Sequence, residues 1–152
     1  MKSVALKTIK VVGISVRTTN ENGQSAKDIG ALWGRFMSEG IVDQIPNKID
    51  TSIYSIYTEY ESDHTKPYTT ILGCKVENDT NPPKGMVATI IEEGNYAQFT
   101  AKGDLTKGAV YEEWAKIWNT DLDRSYSSDF EVYGEKAQNP TDAEVEIFVA
   151  LK

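Results

Sequence analysis

At 152 residues, 39% hydrophobic and 26% charged, the chain has the length and balance of one globular domain rather than of a disordered tail. Its net charge of −7 repels phosphate backbones, and no Lys/Arg-rich helix offsets it, so direct nucleic-acid binding is not expected. The single cysteine, Cys74, excludes an intramolecular disulfide and a cysteine-rich metal site.

The first residues, Met1 to Lys7, lack the apolar run of a signal peptide, and no window approaches the length of a membrane span. The expectation is a cytoplasmic protein with no membrane partner. Ile9 to Thr18 is β-branched and largely alternating, which predicts a strand. After a polar loop, Ser25 with Asp28 three residues on reads as a helix start. Ile29, Leu32, Trp33 and Phe36 then recur at helical spacing up to a stop at Gly40. Ile53 to Tyr60 and Tyr68 to Val76 read as a hairpin, and Asn78 to Lys84, with Pro82-Pro83, as a linker.

Beyond the linker the order returns. Met86 to Ile91 and Tyr96 to Ala101 are β-like, with a break at Glu92 to Asn95. Asp104 suits the N-cap of a helix whose apolar stripe is Val110, Tyr111, Trp114, Ile117 and Trp118. Phe130 to Tyr133 and Val145 to Leu151 close the chain as strands. The halves superpose: Trp33 and Phe36 answer Trp114 and Ile117, and Ser55-Ile56-Tyr57 answers Glu131-Val132-Tyr133. The reading is a single α+β domain over 1–152, with pseudo-repeats at about 1–78 and 85–152. Two β-α-β-β units would build an antiparallel sheet with both helices on one face and a ligand cleft on the other.

Alternation along the penultimate strand puts Phe130 and Val132 on one face and Glu131 with Tyr133 on the other. The matching strand adds Ser55 and Tyr57 to the Glu131 face, so two tyrosines could flank one carboxylate. Aromatic rings and a carboxylate that demands a partner suit a flat cation.

The runs Val12 to Thr18, Leu32 to Phe36, Ile53 to Tyr57 and Asp129 to Tyr133, in that order and spacing, resemble the gyrase-inhibitor-like (GyrI-like) family. Its members are effector-binding domains also found behind DNA-binding modules in AraC-type and multidrug-sensing transcription regulators. The resemblance implies the duplicated fold and a central pocket where a glutamate, here Glu131, meets cationic lipophilic ligands. It extends aromatic wall roles to Tyr57, Tyr133 and Trp33. The chain has no room for a helix-turn-helix module, so a stand-alone binding, sequestering or sensing form is expected, with any DNA-binding partner a separate protein.

The expected function is therefore binding of a small cationic or aromatic lipophilic molecule, with no cofactor, no metal and no catalytic residue assigned. Two alternatives stand beside it: hydrolysis of reactive cyclopropane-type compounds using the pocket glutamate, and a protein-binding, gyrase-inhibitor-like role. His64, the only histidine, is expected to be a solvated loop residue, Cys74 a small hydrophobe, and the Trp114/Trp118 stripe core.

Overall fold

The structure is a computed structural model that describes residues 2–152. Among these, eight strands run in chain order as β1 (Lys2–Leu6), β2 (Ile9–Thr18), β3 (Ile53–Thr58), β4 (Tyr68–Val76), β5 (Val87–Ile91), β6 (Gly94–Gly103), β7 (Ser128–Tyr133) and β8 (Ala143–Ala150). Three α-helices accompany them among the described residues: α1 (Gln24–Ser38), the short α2 (Ile41–Gln44) and α3 (Ala109–Trp118). The strands form one antiparallel sheet in the order β1-β6-β8-β7-β3-β4-β2-β5. Among the described residues no helix is long and apolar enough to cross a membrane.

That order reads the same from either end once the halves are exchanged. β2-α1-β3-β4 and β6-α3-β7-β8 are the two expected β-α-β-β units, and they join where β3 pairs with β7. The expected fold class and duplication are therefore present. The edge strands depart from expectation. β1 leaves its own half to pair with β6, while β5 pairs with β2, so each half lends an edge strand to the other. β1 carries little sequence signal because Lys2-Ser3-Val4-Ala5-Leu6 is short and mostly exposed, and α2 carries little because four residues are too few to show a helical period.

The sheet is curled. On one face a single cluster includes Val4 and Leu6 of β1, Val11 of β2, Ile91 of β5, and Tyr54, Tyr96 and Phe130, drawing in the outermost strands with the central ones. At the facing pair Gly13 and Gly73 of β2 and β4, a Cβ on either would collide with the other strand's backbone.

The other face carries the two long helices, α1 and α3. α1 packs Leu32 and Phe36 over Val12, Ile14, Leu72 and Cys74 of β2 and β4. α3 packs Trp114 and Ile117 over Ala97, Ala101, Val145 and Ile147 of β6 and β8. Strands lie ~4.8 Å apart, so two helices on opposite flanks cannot cover eight of them. The central pair β3 and β7 is left as the floor of a cleft. The cleft thus opens on the helix-bearing face, between the helices, and not on the opposite face as expected; Phe130, Tyr54, Tyr96 and Phe148 fill that other face.

Two helix starts differ in detail from expectation. Gly23, at φ 70°, precedes α1 without a side-chain cap, and Asp28 instead accepts from Thr18 Oγ1 and Gln24 Nε2 at 2.9 Å. Asp104 caps a single 3-10 turn (Leu105–Lys107) by accepting from the Thr106 N–H, and α3 begins only after Gly108. Cys74 is wholly buried, as expected of a small hydrophobe, and burial pushes its thiol up to about 11.

Candidate functional site

The floor of the cleft is set by one register. Ser55 of β3 sits directly opposite Glu131 of β7, and that pair lies on the local two-fold relating the halves. Two residues further along each strand come Tyr57 and Tyr133, on the same face by strand alternation. Each tyrosine meets the tryptophan of the other half edge to face. The Trp33 and Tyr133 rings are 5.0 Å apart at 75°, and the Trp114 and Tyr57 rings 5.7 Å apart at 89°.

The axis carries a serine on one side and a glutamate on the other. Glu131 is 1% exposed, and three neutral donors converge on it. Tyr133 Oη donates to Oε1 at 2.7 Å, while Tyr57 Oη at 2.8 Å and Trp114 Nε1 at 2.6 Å donate to Oε2. Ser55, fully buried beneath, donates to Tyr57 Oη at 3.3 Å and reaches the site through that ring. Among the described residues no Lys or Arg pairs with Glu131. Burial raises the Glu131 carboxyl above its ordinary 4.5, outweighing the three hydrogen bonds that favour its charged form. Burial and then the adjacent Glu131 charge push the Tyr133 and Tyr57 phenols far up, so both act as donors at any physiological pH.

Above this floor the cleft encloses about 1470 Å³, walled by Ile29 and Trp33 from α1 and by Val110, Trp114 and Trp118 from α3. Exposed Met37 and Tyr111 stand at its border. The structure thus gathers Trp33, Tyr57, Glu131 and Tyr133 at one place, with Ser55 below them. The expectation that Trp114 and Trp118 are core only is corrected. Trp114 does pack in the core, but its indole N–H is the shortest donor to Glu131, and Trp118 is cleft wall. The signal for Trp114 lies in the repeat, which sets it opposite Trp33.

A second polar group lies beside the first, and its Tyr60, His64 and Arg124 line the cleft. Asp129, two residues before Glu131, is fully buried; its Oδ2 accepts from Arg124 Nη2 at 2.7 Å and from Tyr60 Oη at 2.6 Å. Its Oδ1 accepts from the Ala150 N–H at 2.8 Å. His64 is not the solvated loop residue expected. Its ring stacks on Trp118 at 5.4 Å and 8°, it lines the cleft, and burial lowers its pKa. Neither Arg124 nor His64 lies in a periodic element, so no pattern of spacing signals their meeting.

Solved structures share this architecture. SAV2435, determined bound to tetraphenylphosphonium, is 18% identical with a TM-score of 0.79, covering 99% of this chain and 93% of that one. At that identity the likeness establishes the fold. The integron cassette protein VCH_CASS2 of Vibrio cholerae is nearer in sequence, 28% identical with a TM-score of 0.74 over 99% of this chain and 95% of its own. Residues 4–151 match Cass2, the integron-associated effector binding protein family, and the chain belongs to that family. YobU of Bacillus subtilis (strain 168), named as a candidate transcriptional regulator, is 30% identical over 147 residues, 94% of this chain and 92% of that protein. The resemblance to effector-binding domains read from the sequence is thereby upheld.

Proposed function

We propose that the chain is a receptor for a small lipophilic cation bearing aromatic groups, which it takes into the cleft with the positive charge set against Glu131. One observation carries this: a wholly buried carboxylate, supplied with neutral donors but with no counter-ion among the described residues, at the base of an aromatic cleft. Burying a charge without a partner of opposite sign is costly, and a cation entering the cleft supplies the missing partner. Three of the roughly four lone-pair sites on the carboxylate are taken by protein donors. What remains for a ligand is electrostatic attraction, with Trp33, Tyr57 and Tyr133 offering ring faces and edges. The capture of tetraphenylphosphonium by SAV2435, which shares the fold, supports the reading, as does the family's description as effector binding. The biological role that follows is effector sensing or drug sequestration inside the cell.

Isothermal titration with tetraphenylphosphonium, for the wild type and Glu131→Gln, tests it. Removing one partner of a desolvated charge pair costs about 2 kcal/mol or more, so the variant should bind at least about 30-fold more weakly. Equal affinities would overturn the role of Glu131.

A further inference from the structure

The two ends of the sheet are equivalent by the repeat and opposite in character. β1 and β5 are both five residues long, and each stands two residues ahead of the strand that opens its half. Among the described residues β1 pairs only with β6 and β5 only with β2, so each has one side of its backbone free. Such an edge is a template for another strand, and proteins guard it with charge, above all lysine. β1 is guarded: Lys2 and Ser3 fill its first two places, and Ala5 is small. At the places equivalent to Lys2 and Ala5, β5 carries Val87, 37% exposed, and Ile90, 41% exposed. The run Val87-Ala88-Thr89-Ile90-Ile91 contains no charge and no proline.

We propose that β5 is a dimerisation edge, pairing antiparallel with β5 of a second copy of this chain about a two-fold axis. The charges at the ends of the strand select that partner and that direction. Lys84 precedes β5, and Glu92 with Glu93 follows it; all three are exposed and make no ion pair among the described residues. Antiparallel pairing brings each copy's Lys84 beside the other's Glu92-Glu93, whereas parallel pairing sets like charges together. A two-fold interface repeats every contact, so one basic end and one acidic end give two opposed pairs. The same step covers Val87 and Ile90 and gives partners to the free N–H and C=O groups of both edges. The edge is ~17 Å long at the usual strand rise, too short for a standard interface, and the net charge of −7 on each copy opposes approach. The dimer is therefore weak, with a Kd on the order of 100 µM. Three strands separate β5 from β7 in the sheet, so Glu131 lies away from the contact.

Sedimentation velocity of the whole chain from about 5 µM to about 1 mM reads the association. The wild type should move from the monomer towards twice its mass. Ile90→Lys gives β5 the guard that β1 has. Each copy carries the change, so about fivefold at each place compounds to a roughly 25-fold weaker dimer. Val87→Lys, at the place of Lys2, should act in the same direction and serves if Ile90→Lys fails to fold. Lys84→Glu should weaken the dimer roughly tenfold, and adding Glu92→Lys with Glu93→Lys should restore it, because the two ends are then exchanged. Near-ultraviolet circular dichroism checks the fold of each variant. Hydrogen exchange places the contact: the amides of β5 should gain protection between low and high concentration, and those of β1 should not. A wild type still monomeric at the highest concentration overturns the proposal and leaves the edge to an extended segment of a different protein. A dimer that folded Ile90→Lys or Val87→Lys leaves unmoved, or one protected at β1 instead of β5, overturns it as well. If exchanging the ends does not recover what Lys84→Glu loses, the antiparallel arrangement falls.

Discussion

Asp129 and Glu131 stand two residues apart on one strand, 0% and 1% exposed, and the protein treats them in opposite ways. Asp129 has its counter-ion built in: Arg124 at 2.7 Å, with Tyr60 and the Ala150 N–H filling out its shell. Glu131 has three donors of comparable length, and every one is neutral. A buried carboxylate with its own cation is a closed structural unit. One with only neutral donors is held in shape while its charge stays open to an incoming partner. The comparison predicts that breaking the closed unit is the more damaging act. Arg124→Met leaves Asp129 charged and unpaired, and should cost about 3–5 kcal/mol of stability. Replacing both partners, Arg124→Met with Asp129→Leu, should recover much of that loss. Chemical denaturation of both variants decides it: if the single variant is as stable as the wild type, Asp129 and Arg124 are not a structural pair.

Within the open unit the two carboxylate oxygens are unequally served, which sharpens the contrast. Among the described residues Tyr133 is the sole donor to Oε1, whereas Tyr57 shares Oε2 with Trp114. Hydrogen bonds to a charged group are worth about 1.5–3 kcal/mol, so deleting one favours the protonated carboxyl and weakens the site for a cation. Tyr133→Phe should reduce tetraphenylphosphonium affinity by roughly tenfold, near the lower end of that range, and Tyr57→Phe by less, because Trp114 still holds Oε2. Titration of the two variants side by side is the check. A larger loss in Tyr57→Phe would mean that the Tyr57 hydroxyl, and not that of Tyr133, carries more of the hold on the carboxylate.

Much of the open unit is legible in the amino-acid sequence. Alternation puts Glu131, Tyr133, Ser55 and Tyr57 on shared faces, and the repeat brings their strands into correspondence, because strand faces follow from a period of two. What alternation cannot say is which face the helices choose. Both sides of β7 offer an aromatic, Phe130 on one and Tyr133 on the other, so the pattern alone is compatible with a cleft on the wrong side of the sheet. The edge strands are hidden for another reason. β1 finds its partner β6 some ninety residues away, a pairing fixed by topology and not by local pattern. The closed unit is the less legible of the two, because Arg124 lies in the loop before β7, where no periodicity places a side chain beside Asp129.

The smallest effect is also the one that most directly distinguishes an open charge from a closed one. Burial raises the Glu131 carboxyl above its ordinary 4.5, so over a window that begins there the folded, ligand-free protein holds a proton that the unfolded chain has lost. In that window stability falls as pH rises, since the folded state must give up its proton to a poorly solvated carboxylate. A cation needs the same carboxylate ionised, so its affinity should climb with pH across the same window, by at most about tenfold per unit, and level off above it. One group thus drives ligand-free stability down and cation affinity up as the medium becomes less acid. Other carboxylates titrate nearby, so the measured quantity is the difference between the wild type and Glu131→Gln, in thermal unfolding and in tetraphenylphosphonium titration between about pH 4.5 and 8. The variant should lack both trends. A wild-type affinity that is flat across that range would mean Glu131 is ionised throughout, and that its neutral donors stabilise the charge as fully as a counter-ion would.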